Sequence, residues 1–186
     1  MNRVILSGTQ SSGKSSLLRG IKSVYIDTPS CSPKIVCIEE PIRRLVETEN
    51  IKINRDGDFT SQMRILEEHH KNTFLYRDFI TDRGAVDAFV YAQWSYMKGM
   101  FSTQEFLKLE EIFLRTLPRY NLFVYLESND SPEEDGVRDT DIEYIKELER
   151  LYLATYDVYL NDTKILWLAS HKYLSERIHL LSENLI

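Results

Sequence analysis

The sequence predicts an α/β fold, a three-layer sandwich built on a five-stranded parallel sheet. Three observations predict it. Five short apolar runs recur along the 186 residues, segments of helical periodicity separate them, and the first run enters a glycine-bearing loop that passes directly into a helical pattern. The apolar runs are Arg3–Ser7, Lys34–Ile38, Asp78–Thr81, Asn121–Leu126 and Lys164–Leu168. Most lack polar alternation, as strands buried on both faces of a parallel sheet do.

The helical segments fall between and after the runs. Lys14–Ile21 follows the first, Ile42–Glu47 the second, and Thr60–Tyr76 precedes the third. Ala85–Met97 and Thr103–Leu117 lie between the third and fourth, Thr140–Tyr159 precedes the fifth, and Lys172–Asn184 follows it. Right-handed crossovers then place helices on both faces of the sheet. No Gly/Ser linker, repeat or low-complexity tract interrupts the chain, so residues 1–186 are expected to form a single domain.

Composition excludes several classes. The net charge of −6 gives no global positive field for non-specific binding of nucleic acid, although a local basic cleft can exist in an acidic protein. Two cysteines, Cys31 and Cys37, cannot form a secreted disulfide scaffold or a Cys-only zinc site, and ordinary thiols are expected. No apolar run approaches the ~20 residues of a membrane span, and Met1–Ser7 reads as a strand rather than a signal peptide. A cytoplasmic protein is expected.

The loop Gly8-Thr9-Gln10-Ser11-Ser12-Gly13-Lys14-Ser15 fits G-x-x-x-x-G-K-[ST] at every fixed position, between a strand and a helix. Two glycines let the backbone curl so that successive N–H groups point at phosphate oxygens, and the helix N-terminus adds its positive end. Gly8, Ser11, Ser12, Gly13, Lys14, Ser15 and Ser16 are therefore the expected nucleoside triphosphate site, with ATP as donor. Lys14 reaches the β- and γ-phosphates, and the Ser15 hydroxyl ligates Mg²⁺.

Asp82 and Arg83 end the third run. If that strand neighbours the first, Asp82 stands beside the loop, where its carboxylate can hold Mg²⁺ or position an acceptor, and Arg83 can grip an acceptor. Glu39-Glu40-Pro41 ends the second run. Pro41 favours an extended residue before it, which aims Glu40 at the cleft as a candidate general base. Asp82 competes for that role. Arg43 and Arg44 follow, either as acceptor-phosphate contacts or as solvated charges. After the fourth run, residues 129–141 form a polar, acidic segment containing Gly136-Val137-Arg138, read as a lid whose Arg138 neutralises charge on the moving phosphoryl group. A helix cap at Asp139 or Thr140 is its structural alternative.

The segment from Asp82 to Gln93 resembles the Asp-Arg element of thymidylate kinases and the Glu-Arg-Ser element of deoxyribonucleoside kinases. Both resemblances imply a phosphate-transfer site at Asp82 and Arg83, with a later aromatic residue bordering the acceptor. Gly84 departs from both patterns. Glu40-Pro41 resembles the Glu-Pro element of deoxyribonucleoside kinases, which implies Glu40 as base. The fourth run with Glu127 and Asp135-Gly136-Val137-Arg138 resembles the nicotinamide-riboside kinase domain of bacterial NAD regulators and P-loop ATPase-like proteins of unassigned substrate. Together these imply a sandwich of P-loop kinase type.

The expected function is ATP- and Mg²⁺-dependent phosphoryl transfer to a nucleoside, a nucleotide or a related small acceptor. Two other readings stay open. One is a regulatory ATPase without a small acceptor. The other is a kinase for a modified base or end in a polynucleotide, which needs a basic groove drawn from Arg43, Arg44, Lys52, Arg55 and Arg64. Nucleic acid is the less favoured partner and no membrane is expected, while the apolar Ala85–Leu117 region leaves a homodimer open. Phe59, Phe74, Tyr91, Trp94 and Tyr96 flank the expected acceptor side. His69 and His70 do not share a helix face and are expected in solvent, and His171 and His179 are expected to be structural.

Overall fold

The computed structural model describes residues 1–27, 35–39, 42–128, 141–161, 163–170 and 172–185, without the side chains of residues 43 and 44. The five strands are β1 Arg3–Ser7, β2 Val36–Ile38, β3 Phe79–Asp82, β4 Leu122–Leu126 and β5 Ile165–Leu168. They form one parallel sheet in the order β2-β3-β1-β4-β5. The three central strands are the buried ones, and in β1 only Arg3 is partly exposed. β3 and β4 are buried throughout, whereas the edge strands are partly exposed, with Trp167 of β5 44% accessible.

Period-two alternation sends side chains to two cores. Val4, Leu6, Ile80, Leu122, Val124 and Leu126 face one side, where they meet α1 (Lys14–Ile21) and α7 (Leu174–Glu183) through Leu17, Leu18, Ile21 and Leu181. Ile5, Phe79, Phe123 and Tyr125 face the other. There they meet α3 (Phe59–Asn72), α4 (Ala85–Met97), α5 (Thr103–Thr116) and α6 (Ile142–Tyr159). α2 (Arg43–Glu49) follows β2. Helices thus cover both faces, as the three-layer reading requires.

α4 is apolar almost all round because it lies among α3, α5 and α6, and most of its residues are buried. Its apolar character, which left a homodimer open from sequence, is satisfied within the chain. Outward apolar residues on the neighbouring α5 include Leu107 and Leu114.

Several boundaries differ from the sequence reading. α3 stops at Asn72 rather than Tyr76, because the Thr73 hydroxyl and amide both turn back to the carbonyl of His70. Phe74, Leu75 and Tyr76 are then exposed. α6 begins at Ile142, and its cap is Asp141, whose carboxylate accepts from the amides of Glu143 and Tyr144 at 2.9 and 3.3 Å. The cap is thus one residue or more beyond the position expected from sequence, and Asp139 and Thr140 lie outside the described residues. A π-helical turn, Lys22–Ile26, and 3-10 turns at Asn54–Asp56 and Leu117–Arg119 had no signal in the periodicity. Among the described residues no helix is long and apolar enough to cross a membrane.

His69 corrects the sequence reading most plainly. It is 3% accessible, and the half-buried His70 bonds through Nδ1 to the Thr116 hydroxyl at 2.8 Å, so α3 buries the first and sets the second against α5.

Candidate active site

The carboxyl ends of β1 and β3 meet at the point where the strand order departs on both sides of β1, which is where open α/β sheets bind ligands. β1 ends in the glycine loop. Gly8 sits at φ +143°, and a Cβ there would stand 2.3 Å from the Leu126 carbonyl oxygen, so this position admits only glycine. Gly13 is the N-cap of α1 at φ +88°, and Ser11 is also left-handed. Lys14 is buried. Its Nζ donates to the carbonyls of Gly8 and Thr9 at 2.7 and 2.6 Å and to Ser12 Oγ at 3.0 Å, which sets the ammonium inside the loop. Ser15 lies on the first turn of α1, and Ser16 beside it is exposed.

Leu6 of β1 lies opposite Asp82 of β3, so the neighbour relation that the sequence reading required is present. Ser15 Oγ donates to Asp82 Oδ2 at 2.5 Å, and Asp82 is 3% accessible. Asp82 is therefore the last strand residue and not a helix cap; Gly84 caps α4. Arg83 adopts φ +71°, which is costly for a side-chain-bearing residue. Its amide donates to Leu6 O at 3.0 Å and its carbonyl accepts from the Thr81 hydroxyl at 2.7 Å. These bonds hold the guanidinium at the strand end, 5.9 Å from the centre of the Tyr91 ring. Gly84 has a steric reason. A Cβ at that position would lie 2.5 Å from Ile5 Cδ1 and 2.9 Å from Tyr120 Oη.

Asp87 ties these parts together and was not singled out from sequence. It is 2% accessible. Its Oδ2 accepts from the Gly84 amide at 3.1 Å, and its Oδ1 accepts from Tyr152 Oη at 2.8 Å and the Gly8 amide at 3.4 Å. Arg83 Nη1 lies 4.0 Å away. Tyr152 also reaches the Gly8 carbonyl at 3.1 Å. Burial pushes the Asp87 carboxyl up from its ordinary range, and the charges of Arg83 and Lys14 oppose the rise. The spacing of four between Arg83 and Asp87 on a helix start was the available signal. Tyr152, on the distant α6, had none.

A second residue missed from sequence is Arg177 of α7, 6% accessible, whose Nη1 and Nη2 donate to Ser12 O at 2.8 Å and Ala169 O at 2.7 Å. It spans the glycine loop and the turn after β5.

On the acceptor side, Arg55 lies 4.8 Å from the centre of the Tyr144 ring and pairs with Asp141 at 2.5 Å. Tyr144 packs edge-on to Tyr91 and Trp94. Of the five aromatics expected to flank the acceptor, Tyr91 stands by Arg83. Trp94 is held by a hydrogen bond to Glu147 at 2.6 Å, Tyr96 stacks on Phe106, and Phe59 packs against Phe101. Phe74 lies beyond the far end of α3, under Arg119, close to where β3 begins rather than where it ends. Glu40 and Arg138 lie outside the described residues, as do Cys31, His171 and most of the 129–141 segment; Glu39 pairs with Lys22 at 3.1 Å. His179 is exposed beside Glu183.

The geometry defines a P-loop α/β fold. Residues 3–172 match the sequence model of the AAA domain family, and the chain belongs to that family. No curated protein matches it in sequence. Among solved structures it is similar to deoxyadenosine kinase from M. mycoides with products dCMP and dCDP bound, at TM-score 0.71 and 15% identity over 97% of this chain and 96% of that one. The same kinase with bound dATP gives 0.68 and 14% over 97% of each chain. The NadR protein in complex with NR gives 0.69 and 19%, covering 98% of this chain and 51% of that one.

Proposed function

We propose that this chain is an ATP- and Mg²⁺-dependent kinase that transfers a phosphoryl group to a hydroxyl of a nucleoside, nucleotide or related small acceptor. The observation that carries the reading is the meeting of Ser15 Oγ with Asp82 Oδ2 across the β1–β3 crevice, with Lys14 behind it and Arg83 beside it. A hydroxyl and a carboxylate are hard oxygen donors and fit Mg²⁺, whose remaining positions are commonly filled by water and phosphate. Mg²⁺ held there supplies neutralisation of the donor phosphates. The similar structures, a deoxyadenosine kinase with nucleotides bound and NadR with NR, support an acceptor of this size.

In this reading Gly8, Ser11, Ser12, Gly13, Lys14, Ser15 and Ser16 hold the donor. Arg83 orients the acceptor, and Arg138 joins Lys14 in balancing charge on the moving group. Engagement of Asp82 with Ser15 supports a metal role for Asp82 and Glu40 as the base that takes the acceptor proton. Little covalent chemistry falls to the protein, so rate comes from positioning and electrostatics.

The described cations named for a polynucleotide groove are paired. Lys52 meets Asp58 at 3.0 Å, Arg55 meets Asp141, and Arg64 meets Glu49 and Glu68 at 2.9 and 3.1 Å. This supports a small acceptor over a polyanion.

The test is incubation with Mg-ATP and a panel of nucleosides, nucleoside monophosphates and nicotinamide riboside, with products read by mass spectrometry. A phosphorylated acceptor and ATP turnover above the basal rate are expected. Turnover that no acceptor raises would overturn the reading and leave a regulatory ATPase.

A further inference from the structure

Arg177 poses an electrostatic problem that the fold alone does not resolve. Its guanidinium is buried, yet both groups it bonds are neutral carbonyls, Ser12 O and Ala169 O. Its Nε is buried and has no hydrogen-bond partner among the described residues. Among the described residues no carboxylate stands within ion-pair distance; the Glu127 carboxylate acts on it only through the field while accepting from the Ser170 amide at 3.2 Å. A buried cation without a counter-ion is costly, as is a buried donor without an acceptor. Such a group calls for a completing partner, and a bound anion can supply one.

Its location indicates the ligand. Nη1 lies 3.3 Å from where a Cβ on Gly13 would be, at the turn that carries the phosphate-binding N–H groups. The carbonyl it holds, Ser12 O, belongs to the same peptide unit as the Gly13 N–H. A charge-assisted bond to that oxygen polarises the unit and makes the N–H a stronger donor. The other arm fixes the turn after β5, so one side chain sets the glycine loop against the neighbouring strand end.

We infer that Arg177 is a positioning residue for the donor, which holds the Ser12–Gly13 peptide in its phosphate-binding orientation and supplies a buried positive charge that a bound polyphosphate balances. The inference rests on the proposed donor role of the loop and is independent of what the acceptor is.

It is tested by calorimetric titration of inorganic tripolyphosphate and ATP into the wild-type protein, Arg177→Lys and Arg177→Met. Loss of one charge-assisted contact predicts affinity about 10- to 100-fold weaker in Arg177→Met for both ligands. Partial recovery in Arg177→Lys and an unchanged acceptor KM are expected. A folded Arg177→Met protein that binds tripolyphosphate as the wild type does would overturn the inference while leaving the kinase reading intact. A wild-type protein that binds neither ligand overturns the donor site and this inference together. Polyphosphate binding without transfer to any acceptor removes the kinase reading and leaves Arg177 in its role. If Arg177→Met does not fold, the ¹H–¹⁵N signal of the Arg177 Nε–H in the wild-type protein decides. It is expected to shift on addition of tripolyphosphate, and an unmoved signal counts against the inference.

Discussion

Alanine at position 14 leaves α1 able to form, because alanine is the strongest helix former, but it removes the ammonium from the centre of the loop. Lys14→Ala is expected to lose phosphoryl transfer by several orders of magnitude while retaining its far-UV circular dichroism. Wild-type turnover in the folded variant would contradict the site. Gly8 responds differently, since its limit is space. A Cβ 2.3 Å from the carbonyl oxygen of Leu126 displaces backbone in β4, so Gly8→Ala is expected to cost about 2 kcal/mol or more of stability in a urea titration. His69 adds a pH dependence. Burial, aided by the charge of Arg83, lowers its pKa from the ordinary 6.5 to about 3. Between those values the unfolded chain takes up a proton that the folded one refuses, so stability falls as pH drops. The slope is about 1.4 kcal/mol per pH unit below 6.5, or about 2 kcal/mol by pH 5. His69→Leu should lose that part of the slope, whatever its stability at pH 7; urea titrations of both proteins at pH 7 and 5 measure the difference. The meeting of Lys14, Ser15 and Asp82 at one strand end was legible in the sequence, because a local motif and the end of an apolar run place them there. Asp87 and Arg177 were not, because their partners come from α6, the glycine loop and the turn after β5, and no spacing along the chain encodes that meeting.

Elements were more legible than single side chains. β1 matches its expected bounds, and β3, β4 and β5 fall within a residue of theirs, because each is marked by a short apolar run with polar residues at its ends. α1 and α4 match residue for residue. α3 overshot in the reading because three apolar residues, Phe74 to Tyr76, extend its pattern past the turn that Thr73 closes. Between elements, Tyr152 links α6 to α4 and to the start of the loop. Tyr152→Phe removes the hydroxyl that serves Asp87 and the Gly8 carbonyl and leaves a buried carboxylate with fewer donors. A loss of about 1–3 kcal/mol is expected on unfolding. An unchanged midpoint would show that the hydroxyl does not support the loop.

At the scale of the whole molecule, the two cores lie on opposite faces of the same strands, so neither has a sheet of its own. The chain is therefore expected to unfold in one cooperative transition, with coincident curves from near-UV and far-UV circular dichroism. Separate midpoints would divide it into two units. The pairing of β1 also bears on how the molecule is made. Val4 lies against Ile80 on one side and Leu122 on the other, so the first strand of the chain finds both neighbours only after long loops have closed. Loop closure comes before the contacts that reward it, which makes such parallel topologies slow folders beside helical bundles of similar size. The curl of the glycine loop depends on β3 and β4 flanking β1. A fluorescent polyphosphate added during refolding should therefore light up in the last phase, after helical signal has already returned.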